Sequence, residues 1–86
     1  MFLEELKNEL DGLLELFDEN DESGEYTFLN SVGYGEIRLS YSSGSNLMFV
    51  EAEYDDEYQQ KTFTCDHKGL TKCVSFVNKM MDLITY

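Results

Sequence analysis

Few residues in this chain have the types and spacing that chemistry needs. His67 is the sole histidine, and it lies between Cys65 and Cys73. A structural zinc takes four ligands and a catalytic zinc three plus water. These three are the only soft ligands in the chain, and no C-x-x-C pair is present. Cys73 also falls on the apolar stripe of a helical segment. Two small buried thiols and a surface histidine are therefore expected in place of a metal site. Ser and Tyr are plentiful, yet no spacing pairs a nucleophile with a base. Gly33 and Gly35 alone make no phosphate loop. Acid pairs for glycoside chemistry can be drawn anywhere in so acidic a chain and carry no information. The residues point away from an enzyme, and no cofactor is expected.

The stretch DENDESGEYTFLN, residues 18–30, invites a calcium reading. With Gly24 as the turn glycine, Glu19, Asp21, Ser23 and Glu25 take the ligand positions of an EF-hand loop. The closing acid then falls on Asn30, and the first position is Glu instead of Asp. The residues after the loop alternate like a strand, not a helix. A solvated acidic loop without metal is the expectation.

What remains is charge. The 86 residues carry 18 acids against 6 lysines and arginines, a formal net of −12. Residues 1–60 hold 16 acids against Lys7 and Arg38, whereas residues 61–86 hold Asp66 and Asp82 against four lysines. Phosphate would be repelled by most of the molecule, which argues against direct nucleic-acid binding. A basic protein partner is allowed. Self-repulsion at this charge opposes folding and is relieved by salt. Two cysteines make no disulfide framework. No basic stretch comes after Met1 as a signal peptide requires, and the apolar runs fall far short of the ~20 residues of a membrane span. Cytoplasmic location with reduced thiols and no membrane association is expected.

The elements that must hold these acids are set by periodicity. Leu3, Leu6, Leu10, Leu13 and Phe17 recur at spacings of three and four, which predicts a helix from Phe2 to about Phe17. Glu4, Asp11, Glu15 and Asp18 then share its opposite face, and Gly12 sits in its interior. The polar run to Gly24 ends the helix. Glu25 to Val32 reads as a strand whose inward set is either Tyr26 and Phe28 or Thr27, Leu29 and Ser31, with the aromatic set preferred. Gly33-Tyr34-Gly35 reads as a turn or bulge.

Tyr34 to Glu57 reads as a hairpin turning at SSGSN. Ile37, Leu39 and Tyr41 alternate on one arm, and Met48, Val50, Ala52 and Tyr54 on the other, so these seven share a buried face. The opposite face carries Glu36, Arg38 and Ser40, then Leu47, Phe49, Glu51, Glu53 and Asp55. Asp55-Asp56-Glu57 forms the outgoing turn. Tyr58 to Asp66 reads as a fourth strand with Phe63 and Cys65 on one side. A second helix, from about Gly69 to Ile84, carries the stripe Leu70, Cys73, Val74, Val77, Met81 and Ile84. The expectation is one domain over residues 1–86. Its class is α+β, a four-stranded antiparallel meander with N- and C-terminal helices on one face, order α-β-β-β-β-α.

The candidate partner-binding surface is acidic: Glu4, Asp11, Glu15 and Asp18 on the first helix, and Glu36, Phe49, Glu51, Glu53, Asp55, Asp56 and Glu57 on the hairpin. Alternate strand residues project every ~6.7 Å, close to two phosphate rises of ~3.4 Å along one DNA strand. Carboxylates held at that spacing can occupy a groove built for phosphate, with Leu47, Phe49 and Tyr58 as apolar anchors.

In size, charge and lack of catalytic motifs the chain resembles the short acidic proteins that phages use against host nucleases. These are anti-CRISPR, anti-restriction and glycosylase-inhibitor proteins. The resemblance implies a non-enzymatic inhibitor that mimics a nucleic acid. The element order is also similar to that of double-stranded RNA-binding domains, which have one strand fewer, but the charge has the wrong sign for that role. An immunity protein for a nuclease toxin, or a small acidic secretion chaperone, is the alternative.

Overall fold

The computed structural model describes residues 2–32 and 35–84, without the Val32 side chain. The turn read at Gly33-Tyr34-Gly35 falls largely outside the described residues. Within them the order is α1 (Phe2–Leu10), β1 (Glu15–Asn20), β2 (Glu25–Val32), β3 (Gly35–Ser42), β4 (Leu47–Tyr54), β5 (Glu57–Thr64) and α2 (His67–Ile84). The strands form an antiparallel sheet in sequence order β1-β2-β3-β4-β5. The class is α+β with a helix at each end, as expected, but the meander has five strands and not four.

The extra strand comes out of the predicted first helix, which stops at Leu10. Gly12 adopts φ +83°, a left-handed conformation that ends helices and that glycine enters without a Cβ clash. The amides of Leu13 and Leu14 both donate to the Leu10 carbonyl, at 2.8 and 2.9 Å. The apolar series continues past this stop, but with a new period. Leu14 is buried, and Leu16 lies opposite Phe28 of β2. Asp11-Gly12 was the signal for the break, a turn dipeptide inside an otherwise helical pattern.

Burial sorts the strand faces. Tyr26 and Phe28 of β2 are buried, so the aromatic set points inward, as preferred. Ile37, Leu39, Tyr41, Met48, Val50 and Ala52 are buried beside them, and Tyr54 is half-buried against the same cluster. All seven inward residues of the hairpin thus share one face. Leu6 and Leu10 of α1, and Leu70, Cys73, Val77 and Met80 of α2, close over that face. Phe63 and Cys65 pack against the cluster from β5 and the segment after it. The α2 stripe is rotated slightly from the expected one: Phe76 and Met80 are buried, whereas Val74 and Met81 are only partly so.

Two polar devices fix the layers. The Asn30 side-chain amide donates to the Leu13 carbonyl at 2.7 Å and contacts Met81 Sδ at 3.5 Å, joining β2 to both helical ends of the chain. Asp66 caps α2. Its carboxylate accepts from the Gly69 amide at 2.7 Å and from the Thr64 hydroxyl at 3.0 Å. That fills a donor that the first turn leaves open. Both interactions hold Asp66 below the usual carboxylate range, the Gly69 bond contributing most.

Candidate binding face

The face of the sheet away from the helices is built by alternation. If Ile37, Leu39, Val50 and Ala52 point inward, their neighbours must point outward. The register then sets the outward residues in rows across the strands. Ser31, Glu36, Glu53 and Tyr58 form one row, with Glu36 directly opposite Glu53. Glu15, Leu29, Arg38, Glu51 and Gln60 form the next. Asp18, Thr27, Ser40, Phe49 and Thr62 form the third. The rows turn from acidic to hydroxyl-bearing and apolar along the strands.

The fold corrects part of the expected acidic surface. Glu4 stays on α1, and Asp11 lies in the turn after it. Neither joins the outer face, so the four-acid helix face does not exist. Glu15 and Asp18 do reach the outer face, but from β1. A bulge between Leu16 and Asp18 makes this possible. Phe17 is the extra residue and is 70% exposed. In an unbroken register Phe17 would pair with Thr27 and Asp18 would lie opposite Tyr26 on the inner side; with the bulge Asp18 faces out beside Thr27, and Glu19 turns in toward Lys7 at 3.7 Å. Bulges re-aim side chains in this way.

On the hairpin, Glu36, Phe49, Glu51 and Glu53 lie on the outer face as expected. Asp55 does not extend their ladder. It has φ +53° and, with Asp56, makes the two-residue turn between the paired Tyr54 and Glu57. Glu57 opens β5 on the inward side. These acids still converge, because Glu36, Glu53, Asp55, Asp56 and Glu57 border a shallow cleft of about 610 Å³ at the sheet's end. A smaller depression of about 240 Å³ adjoins it, lined by Glu36, Arg38, Glu51 and Glu53.

Charge in this region is poorly compensated. Arg38 lies opposite Glu51 and sits 3.8 Å from the Glu36 carboxylate, an exposed pair of small energetic weight. Glu36 and Glu53 face each other with Cβ atoms ~5 Å apart, a like-charge pairing that destabilises a sheet. The Tyr58 phenol beside them is raised above its usual range. Desolvation is the main cause, followed by the charge and hydrogen bonding of Glu51 and the charge of Glu53. Tyr58 is 53% exposed at this acidic end, and Leu47 and Phe49 are exposed at the other, Phe49 by 43%. Ser40 and Phe49 lie on this face as expected, and the register brings Thr27 and Thr62 into the same row beside them.

Among the described residues no group of His, Cys, Asp and Glu could hold a metal ion. Glu19, Asp21, Ser23 and Glu25 belong to a β-hairpin and do not converge. Here the Gly24 amide donates to the Asn20 carbonyl at 2.8 Å. Cys65 and Cys73 are free thiols. Burial pushes Cys73 up to about 12, so it stays protonated and unreactive near neutral pH. Lys68, Lys72 and Lys79 are exposed on α2, on the side of the sheet opposite the acidic face. No helix among the described residues is long and apolar enough to cross a membrane.

No family model matches the chain, no curated protein matches its sequence, and no solved structure matches its fold.

Proposed function

We propose that the chain is a small acidic inhibitor without catalysis of its own. It binds a basic nucleic-acid-handling protein in place of DNA or RNA, in the manner of phage anti-defence proteins acting in the host cytoplasm. One observation carries the reading: Glu36, Glu51 and Glu53, with Glu15 and Asp18, sit at register-fixed positions on one sheet face whose sole cation among the described residues is Arg38. Sheet geometry sets their separations at ~5 Å across strands and ~6.7 Å along them. A rigid polyanion of this kind steers the encounter with a basic groove, and the exposed Phe49, Leu47 and Tyr58 slow release.

The test is capture on immobilised protein at low salt, followed by a salt ramp and by competing duplex DNA. A nuclease, restriction or repair enzyme held by the parent elutes as salt rises and is displaced by DNA. The triple variant Glu36→Lys, Glu51→Lys, Glu53→Lys keeps its circular dichroism and loses the partner. Equal capture by the variant defeats the reading. The apolar patch at Leu47 and Phe49 favours a second reading, an immunity protein or acidic secretion chaperone. In that case binding persists through the salt ramp and DNA does not compete.

A further inference from the structure

The two edges of the sheet are built differently. β1 has six residues, a bulge, and the acids Glu15, Asp18 and Glu19. Short length, bulges and charge are the devices by which proteins keep an edge from pairing. β5 has eight residues and an unbroken register against β4 from Leu47–Thr64 to Tyr54–Glu57. It carries no bulge and no proline. Its charges are one acid and one base, Glu57 and Lys61, in a chain of net charge −12. It is therefore the stretch of backbone that a second copy approaches with least repulsion.

The direction of the backbone groups is fixed by one bond. The Cys65 amide donates to the Asn46 carbonyl at 2.8 Å. Antiparallel strands alternate the side to which they bond, so residues 57, 59, 61 and 63 bond toward β4. Tyr58, Gln60 and Thr62 then aim their N–H and C=O groups at the open edge. Thr64 does not, because the start of α2 packs on it: a Cβ on Gly69 would collide with the Thr64 carbonyl.

We propose that β5 pairs antiparallel with β5 of a second copy about a two-fold axis at Gln59. Only registers that set edge-facing residues opposite one another can form bonds. Centring on Lys61 opposes two lysines. Centring on Gln60 places Glu57 against Phe63. Centring on Gln59 places Glu57 of each copy against Lys61 of the other, twice by symmetry, with Tyr58 opposite Gln60. Charge complementarity thus selects both the occupant and the register. The product is a continuous ten-stranded sheet whose two acidic ladders, on β4 of each copy, lie three strand spacings or ~14 Å apart. That exceeds the ~8 Å screening length at physiological salt, so repulsion between the ladders fades as salt rises. Pairing strengthens with salt, the reverse of what the mimicry reading requires of partner binding. The two readings fail independently.

Sedimentation of the full chain against concentration and salt is the test. The mass is expected to move from 10.0 kDa toward twice that value as concentration rises, and further at high salt than at low. Gln60→Pro removes an edge-facing N–H without touching the β4 ladder, and is expected to stay folded and monomeric. Lys61→Glu opposes like charges at both crossings and raises the dissociation constant about tenfold or more. The swap Glu57→Lys with Lys61→Glu restores pairing. A parent that stays monomeric at millimolar concentration in high salt overturns the proposal. So does a dimer that survives both Gln60→Pro and Lys61→Glu, or a charge swap that leaves the single variant's defect in place.

Discussion

The two faces of the sheet are made by the same strands, one residue to each in turn, yet they obey different rules. On the inner face Leu39 and Val50 are opposite each other and wholly buried. Each fills space that nothing else fills, so packing alone accounts for its identity. On the outer face Glu36 and Glu53 are opposite each other in solvent reach. No packing demands them, and their repulsion works against the fold. A residue that opposes stability without a structural return is where a binding role is best sought. Solubility is served equally by acids placed apart, whereas a stand-in for a polyanion requires them together.

The contrast can be broken or sharpened by measurement. The largest effect belongs to the inner face. Leu39→Ala is expected to lose about 2–5 kcal/mol in urea denaturation, a large share of the stability of so small a domain. Phe49→Ala on the outer face should change stability by under about 0.5 kcal/mol. A comparable loss at Phe49 would mean that the outer face is packed as the inner one is. Next comes Glu53→Lys, which replaces a like-charge pair by an opposite-charge one. It should raise stability by about 0.2–1 kcal/mol, with the gain shrinking as salt is added, while partner binding weakens. Destabilisation by this change would remove the claim that the acids oppose the fold.

The last effect depends on pH and lies at the helix cap, away from both faces. Because the Gly69 amide and the Thr64 hydroxyl hold Asp66 below its usual range, its contribution is complete above the unfolded value of about 4. It is lost as pH falls through the lower folded value. Asp66→Ala should therefore lower the thermal midpoint by a constant amount from pH 5 to 8, and by progressively less in more acidic solution. A difference that stays constant down to pH 2 would show that the carboxylate charge is not what caps α2.

Much of this was legible in the residues. The hairpin of β3 and β4 could be read because period-two alternation of large apolar residues has one physical meaning over seven positions. The last helix could be read because its stripe, from Leu70 to Ile84, runs for about four turns without a breaker. The first helix misled because Leu13, Leu14, Leu16 and Phe17 satisfy a helical stripe and a strand equally well over so short a run. The Asp11-Gly12 stop was the deciding feature, and it was outweighed by the leucines before it. The acids moved with their elements. Those on β3 and β4 were placed correctly, and Glu15 and Asp18 reached the same face from an unexpected strand.

The sequence by itself determined the charge, the apolar company of the two thiols, and the inward faces of the central strands. These depend on composition and local period, which the chain carries wherever it folds. Only the tertiary structure decided that residues 15–20 pair with β2, that a bulge at Phe17 turns Asp18 outward, and that β5 is left as an open edge. Pairing partners and edges are relations between distant segments, set by which backbone groups find each other once Gly12 has ended the helix and the core has closed.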